Sequence, residues 1–240
     1  GYDPARFHTG RAPIEAAALG HTQSIEAISH AKQTMTEGEF RRAFGNQRTR
    51  SNERAIPETT WRVACRADVA PVGRLSFAVD VAPDRDWASI AAAAGGVVEL
   101  VDHRPGVGWV EERIAQLVAD HGGAVTLEAT SPAGALVPGL RSKGVQVSEF
   151  TAAEVTRACG AFYDAVTAEH DSAASLRHRG AGPLSRSVAS AKRRDLSDAW
   201  AWDRKDKDSD ITQLMAVTLG LHGLIEYGTP EKVEVWGFLS

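Results

Sequence analysis

Apolar and polar positions alternate from Leu75 to Val81, where Phe77, Val79 and Val81 are separated by small residues. That period of two predicts a strand with a buried face over residues 75–81. Residues 87–93 and 97–103 read as two further strands, joined by Pro83-Asp84 and Gly95-Gly96 turn signals, so an antiparallel meander is expected. The period then becomes helical over residues 109–121, with Val110, Ile114, Leu117 and Val118 on one face and Gly122-Gly123 as the stop. A strand over 124–127, closed by Glu128, a short helix from 132 to 140 or beyond and a strand over 145–149 follow. Thr151-Ala-Ala-Glu154 is a capping box opening a helix to about residue 168. Trp200 and Trp202 alternate along another short strand as packing residues, and Asp210-Ile-Thr-Gln-Leu214 opens a long last helix.

A meander followed by alternating helices and strands predicts a mixed sheet, antiparallel strands plus parallel ones, covered by helices on both faces. This α/β order is that of the ribonuclease H-like fold. The first 60 residues read differently. A helix is expected over 24–44, with Ile25, Ile28 and Met35 on one face and a second helix around 37–44. The Arg-rich run Asn46-Gln-Arg-Thr-Arg-Ser-Asn-Glu-Arg54 follows as a linker or arm. The division is therefore a helical approach segment over 1–60 and an α/β domain over 61–240.

Candidate chemistry lies where the strands end. Asp80 sits inside an apolar run, where an uncompensated carboxylate is costly to desolvate. Glu128 closes a strand and Asp210 opens a helix, positions that solvation and helix capping can also explain. Together they are read as the catalytic acids and metal ligands of one site. Asp208, Asp84 and Asp86 are accessory candidates, with Asp208 competing with Asp210 and Asp86 facing solvent or starting the second strand. Carboxylate oxygens suit two Mg²⁺ or Mn²⁺ ions roughly 4 Å apart, the arrangement that hydrolyses phosphodiesters.

Composition changes the picture in one respect. The chain has 240 residues, 43% hydrophobic, with net charge -4, so overall charge does not mark a nucleic-acid binder. Between Arg177 and Lys207, however, nine Lys or Arg stand against four Asp or Glu. This local patch suits a phosphate backbone; its candidates are Arg179, Lys192, Arg193, Arg194, Arg204, Lys205 and Lys207, with His178 placed to orient a phosphate or water. Two cysteines, Cys65 and Cys159, lack metal-ligand spacing and fit a reducing compartment. No apolar stretch is long enough to span a bilayer. The chain is read as soluble and intracellular, and its start, Gly1-Tyr-Asp-Pro4, as an excised piece of a longer protein. P-loop, serine-elbow and zinc-helix motifs are absent from the sequence, so it offers nothing for ATP hydrolysis, serine nucleophiles or zinc peptidase chemistry.

Seven short pieces resemble, in order, the C-terminal nuclease domain of the large terminase subunit of tailed bacteriophages, the DNA-packaging motor. They are Glu39-Phe-Arg-Arg42 with Gly45-Asn46, Ile56-Pro-Glu-Thr-Thr-Trp61, Val79-Asp-Val-Ala-Pro-Asp-Arg85, Arg104-Pro-Gly-Val-Gly-Trp109, Leu176-Arg-His178, Trp202-Asp-Arg-Lys205 and Asp210-Ile-Thr-Gln-Leu-Met-Ala216. The resemblance implies an endonuclease cutting double-stranded concatemeric DNA with little sequence preference in the host cytoplasm. It places the family's acids on Asp80, Glu128 and Asp210. It also implies the ATPase domain, which this chain lacks, the small terminase subunit and the portal as partners, and no membrane. Two other expectations stand beside it: a junction resolvase or transposase-type strand transferase on the same fold, and a non-catalytic module docking on a motor.

Overall fold

A computed structural model describes residues 54–169, 172, 175–204 and 209–226, together with two short strands, β1 (Arg6–His8) and β2 (Pro13–Glu15). The chain divides into two compact units, Gly1–Glu53 and Arg54–Ser240. In the first, β1 and β2 pair antiparallel with Phe7 opposite Ile14. The helices expected over 24–44 and most of the polar arm after them lie outside the described residues.

The second unit is built on a six-stranded mixed sheet. Its strands are β3 (Ser76–Val81), β4 (Trp87–Ala94), β5 (Val97–Pro105), β6 (Ala124–Glu128), β7 (Val147–Phe150) and β8 (Arg177–His178), in the order β7-β6-β3-β4-β5-β8. The first three form the expected antiparallel meander, and β6 and β7 add parallel to β3. The β4–β5 turn needs its glycines. Gly95 and Gly96 have φ of 55° and 78°, and a Cβ on Gly95 would meet the Val72 carbonyl oxygen at 2.5 Å.

Each sheet face has its own core. Phe77, Val79, Val81, Ile90, Val125 and Leu127 are buried with the apolar side of α2 (Val110–His121) and with α3 (Val137–Ser142). The opposite face carries Ala78, Ala91 and Ala93. These small side chains let α6 (Thr212–Glu226) lie close, so a Cβ on Gly223 would come within 2.5 Å of Ser76 Oγ and Thr126 Oγ1. Outside α6 pack α4 (Ala152–Thr167) and α5 (Gly182–Ser190), and α1 (Glu58–Val63) adds Trp61 to the same core. Helix α6 is buried on all sides from Ile211 to Gly223, which is why it lacks an amphipathic stripe. The hairpin β9 (Arg193–Leu196) and β10 (Ala199–Trp202) delivers Trp202 into this core.

Several element ends differ from the sequence reading. The single helix expected over 132–140 is a 3₁₀ turn, Pro132–Leu136, followed by α3. Pro138 cannot donate within a helix interior, so the helix restarts where Pro138 falls in its first turn. Strand β7 begins at Val147, because the Val145 N–H donates to the Leu140 carbonyl at 3.1 Å. Both halves of the predicted Thr151–Glu154 capping box are present at α4. Helix α5 has no counterpart in the sequence reading: its Gly, Pro and Ser residues are weak helix formers, and packing of Leu184 and Val188 decides it.

Candidate active site

The register of the sheet sets Asp80 and Glu128 side by side. Asp80 on β3 pairs with Ser89 on β4, and Ser89 pairs with His103 on β5, so the three side chains share one face. On the other flank Ala78 pairs with Thr126 of parallel β6, so two residues onward Glu128 lies level with Asp80. The row Glu128–Asp80–Ser89–His103 thus crosses four strands, on the face covered by α6. The start of that helix closes the row: Thr212 Oγ1 meets Ser89 Oγ at 2.8 Å. Asp210 stands two residues before α6, not at its first residue, and its Oδ1 accepts the Thr212 N–H at 2.9 Å. Its Oδ2 accepts from Gln213 Nε2 at 3.4 Å and lies 3.6 Å from His103 Nε2.

Asp80 is buried, with 1% of its side chain exposed. Its Oδ1 accepts from Arg204 Nη2 at 2.6 Å, and its Oδ2 has no hydrogen-bond partner among the described residues. Arg204 Nη1 also donates to Glu128 Oε2 at 2.6 Å, so one guanidinium bridges the two acids. Burial raises the Asp80 carboxyl to about 7. Arg204 opposes that rise, Glu128 and Asp210 add to it through like-charge repulsion, and the Val81 backbone opposes it weakly. Desolvation and Arg204 thus pull in opposite directions, and desolvation wins for a carboxylate with one oxygen unpartnered. Burial lowers His103 below the ordinary imidazole range, with Arg186 acting the same way and Asp210 against it.

This donor set fits a hard divalent cation. All six carboxylate oxygens are of the right type, one is buried and orphaned, and a positive charge already bridges Asp80 and Glu128. Among the described residues no three His, Cys, Asp or Glu side chains are close enough to form a ready cage. The Arg204 guanidinium stands between Asp80 and Glu128.

The remaining sequence candidates separate clearly. Asp84 and Asp86 are exposed in the β3–β4 turn, where Asp84 Oδ1 accepts the Asp86 N–H at 3.1 Å. His178, expected on the DNA face, is buried: it stacks on Trp61 at 3.7 Å, and its Nε2 meets the Trp61 carbonyl at 2.8 Å. Its Nδ1 accepts the Gly180 N–H, so both ring nitrogens are occupied. Arg179 turns inward to the buried Glu99 at 3.4 Å, since an interior carboxylate requires a counter-charge. Arg204 is paired with Asp80 and Glu128, not displayed on the surface with its basic neighbours. Arg193 and Arg194 are exposed on β9 beside exposed Lys192, with the Arg193 guanidinium 4.0 Å above Tyr163 and 4.3 Å above Trp200. Lys205, Lys207 and Asp208 lie outside the described residues. Sequence reasoning missed His103, Ser89 and Gln213. Their signal was a polar residue interrupting each apolar run.

No protein-family model matches the chain, and no curated protein matches it. Solved structures do. The large terminase of bacteriophage HK97 superposes with a TM-score of 0.58 at 13% identity, over 86% of this chain and 52% of that protein. A mutant gp2c of the large terminase subunit of bacteriophage Sf6, with calcium, gives 0.55 at 10% identity, over 69% of this chain and 97% of that one. A manganese-containing mutant of the Sf6 nuclease domain gives 0.50 at 10% identity over the same shares. The chain therefore has the ribonuclease H-like fold of phage large-terminase nuclease domains, and spans about half of the HK97 protein. Among the described residues no helix is long and apolar enough to cross a membrane.

Proposed function

We propose that this chain is the nuclease part of a phage DNA-packaging motor, a metal-dependent endonuclease that cuts double-stranded DNA with little sequence preference. The observation that supports this reading is the pairing of Asp80 and Glu128 on adjacent strands around one guanidinium, with Asp80 buried and one of its oxygens unpartnered. Asp80, Glu128 and Asp210 would hold two divalent ions, Mg²⁺ or Mn²⁺, with Asp80 shared. Bound there, the ions supply an activated water and neutralise charge on the attacking and leaving oxygens.

The chain's own groups do the rest. Asp80 holds the centre of the site from the middle of the sheet. Glu128 and Asp210 bracket it from a strand end and a helix start. Arg204 neutralises Asp80 and Glu128 when no cation does, which keeps the like charges from repelling the site apart. Exposed Lys192, Arg193 and Arg194 contribute phosphate contacts of no sequence preference. Residues 61–240 are the nuclease domain and 1–60 the approach to it. The preceding ATPase, the small terminase subunit and the portal are its partners in the host cytoplasm.

Plasmid nicking with Mg²⁺, Mn²⁺ or EDTA tests the reading. Cutting should require metal and vanish in Asp80→Asn with the fold retained. Wild-type rates in Asp80→Asn would reject the site; cutting in EDTA would reject the chemistry.

A further inference from the structure

Beside the carboxylates stands an aromatic side chain that the chemistry above leaves unused. Trp87 opens β4, two residues before Ser89, and so lies on the same sheet face as Ser89 and Asp80. It is 40% exposed, the only aromatic among the large hydrophobic side chains that are exposed in the described residues. Its indole is nevertheless held. It stacks on the His103 ring at 4.6 Å with the planes 15° apart. His103 is anchored in turn by Ser89 Oγ at 3.1 Å on Nδ1 and by Gln213 Nε2 at 3.0 Å on Nε2, and lies 3.6 Å from Asp210.

His103 covers one face of the indole, and the side chain remains 40% exposed beside the carboxylate row. We propose that Trp87 is a stacking platform for an unpaired nucleobase of the DNA strand at the cleavage site. The inference rests on the DNA-nuclease reading and adds a subsite to it. The local charge selects the part of the nucleotide. Asp84, Arg85 and Asp86 precede Trp87 on the exposed turn, a run with one net negative charge that gives phosphate little attraction, whereas a base offers a neutral π-face. Stacking tolerates every base, so the subsite adds affinity for opened DNA without sequence preference. The His103 stack fixes the indole beforehand, so little side-chain freedom is lost when the base arrives. The platform therefore favours DNA that is locally unpaired beside the scissile bond.

The test is binding without cutting, in EDTA, by fluorescence anisotropy. The probes are a fully paired duplex and the same duplex with a short unpaired bubble containing 2-aminopurine. Wild type should bind the bubbled duplex about 5- to 150-fold more tightly than the paired one, the range expected for one stacked base. Its 2-aminopurine emission should fall on binding. Trp87→Phe should keep most of the preference and the quenching. Trp87→Ala should lose both while binding the paired duplex as wild type does, with its thermal melt showing that the fold survives. A wild type that nicks plasmid with Mn²⁺ yet binds both duplexes equally overturns the platform alone, as does a Trp87→Ala variant that keeps the preference. A wild type that neither nicks nor binds overturns the DNA reading beneath it.

Discussion

Replacing Asp80 with Asn should make the metal-free protein more stable, not less, and the size of the gain follows from burial. Between pH 3.8 and about 7 the unfolded chain releases this proton while the folded chain keeps it. Stability from this group therefore falls as pH rises through that window, and the full cost is present above it. The difference between 3.8 and about 7 corresponds to on the order of 4 kcal/mol. The attraction of Arg204 is already inside that balance, because it opposes the rise and loses to desolvation. For a domain of this size the gain amounts to about 10 °C of melting temperature. The assay is thermal unfolding in EDTA from pH 4 to 8. Asp80→Asn and wild type should coincide near pH 4, diverge through the window, and differ most at pH 8. Adding Mn²⁺ should raise the wild-type transition and leave that of the variant nearly unmoved. A variant less stable than wild type at pH 8 would refute the reasoning. It would make Asp80–Arg204 a structural ion pair whose loss leaves Arg204 poorly compensated.

Three further outcomes are expected. Glu128→Gln and Asp210→Asn should each raise the Mn²⁺ concentration needed for nicking, by more than the roughly 10- to 100-fold that losing an outer-shell partner costs; Asp208→Asn should behave as wild type. Gly223→Ala should destabilise by about 1–3 kcal/mol in urea titration, since its methyl would stand 2.5 Å from Ser76 Oγ and Thr126 Oγ1; an unchanged midpoint would show that α6 is not seated so closely on the sheet. Native protein at pH 8 should expose only Cys65 to a thiol reagent, because Cys159 is buried with its thiol pushed up to about 11; equal reaction of both would mean that the core opens.

Much of this fold was legible because the meander declares itself. Alternation over residues 75–81, the Gly95-Gly96 turn and the Thr151 capping box each depend on neighbours in sequence. Asp80 stood out for the same reason, as a charge inside a local apolar run. What escaped depends on register. Counting outward from the two-residue turn pairs Ser89 with Asp102, yet a bulge between Ile90 and Ala91 moves the pairing by one and puts His103 beside Ser89. Nothing in the local pattern marks that slip, so the His103–Trp87 stack and its link to Asp210 were invisible. Arg204 was misassigned for a related reason. Its neighbours in sequence are basic, but the β9–β10 hairpin carries it back between Asp80 and Glu128. Arg179 reads as surface charge from its basic neighbours, although strand pairing at the sheet edge draws it and His178 inward against Glu99 and Trp61.

The central claim is that Asp80, Glu128 and Asp210 are ligands of one divalent-metal site, and the anomalous signal of a crystal soaked in Mn²⁺ tests it most directly. Two peaks are expected, both touching Asp80, one shared with Glu128 and the other with Asp210, and the Arg204 guanidinium should have left the bridge between the first two acids. Saturating Mn²⁺ with no peak at Asp80 and Arg204 still in place, or a peak held by Asp208 in place of Asp210, would contradict it.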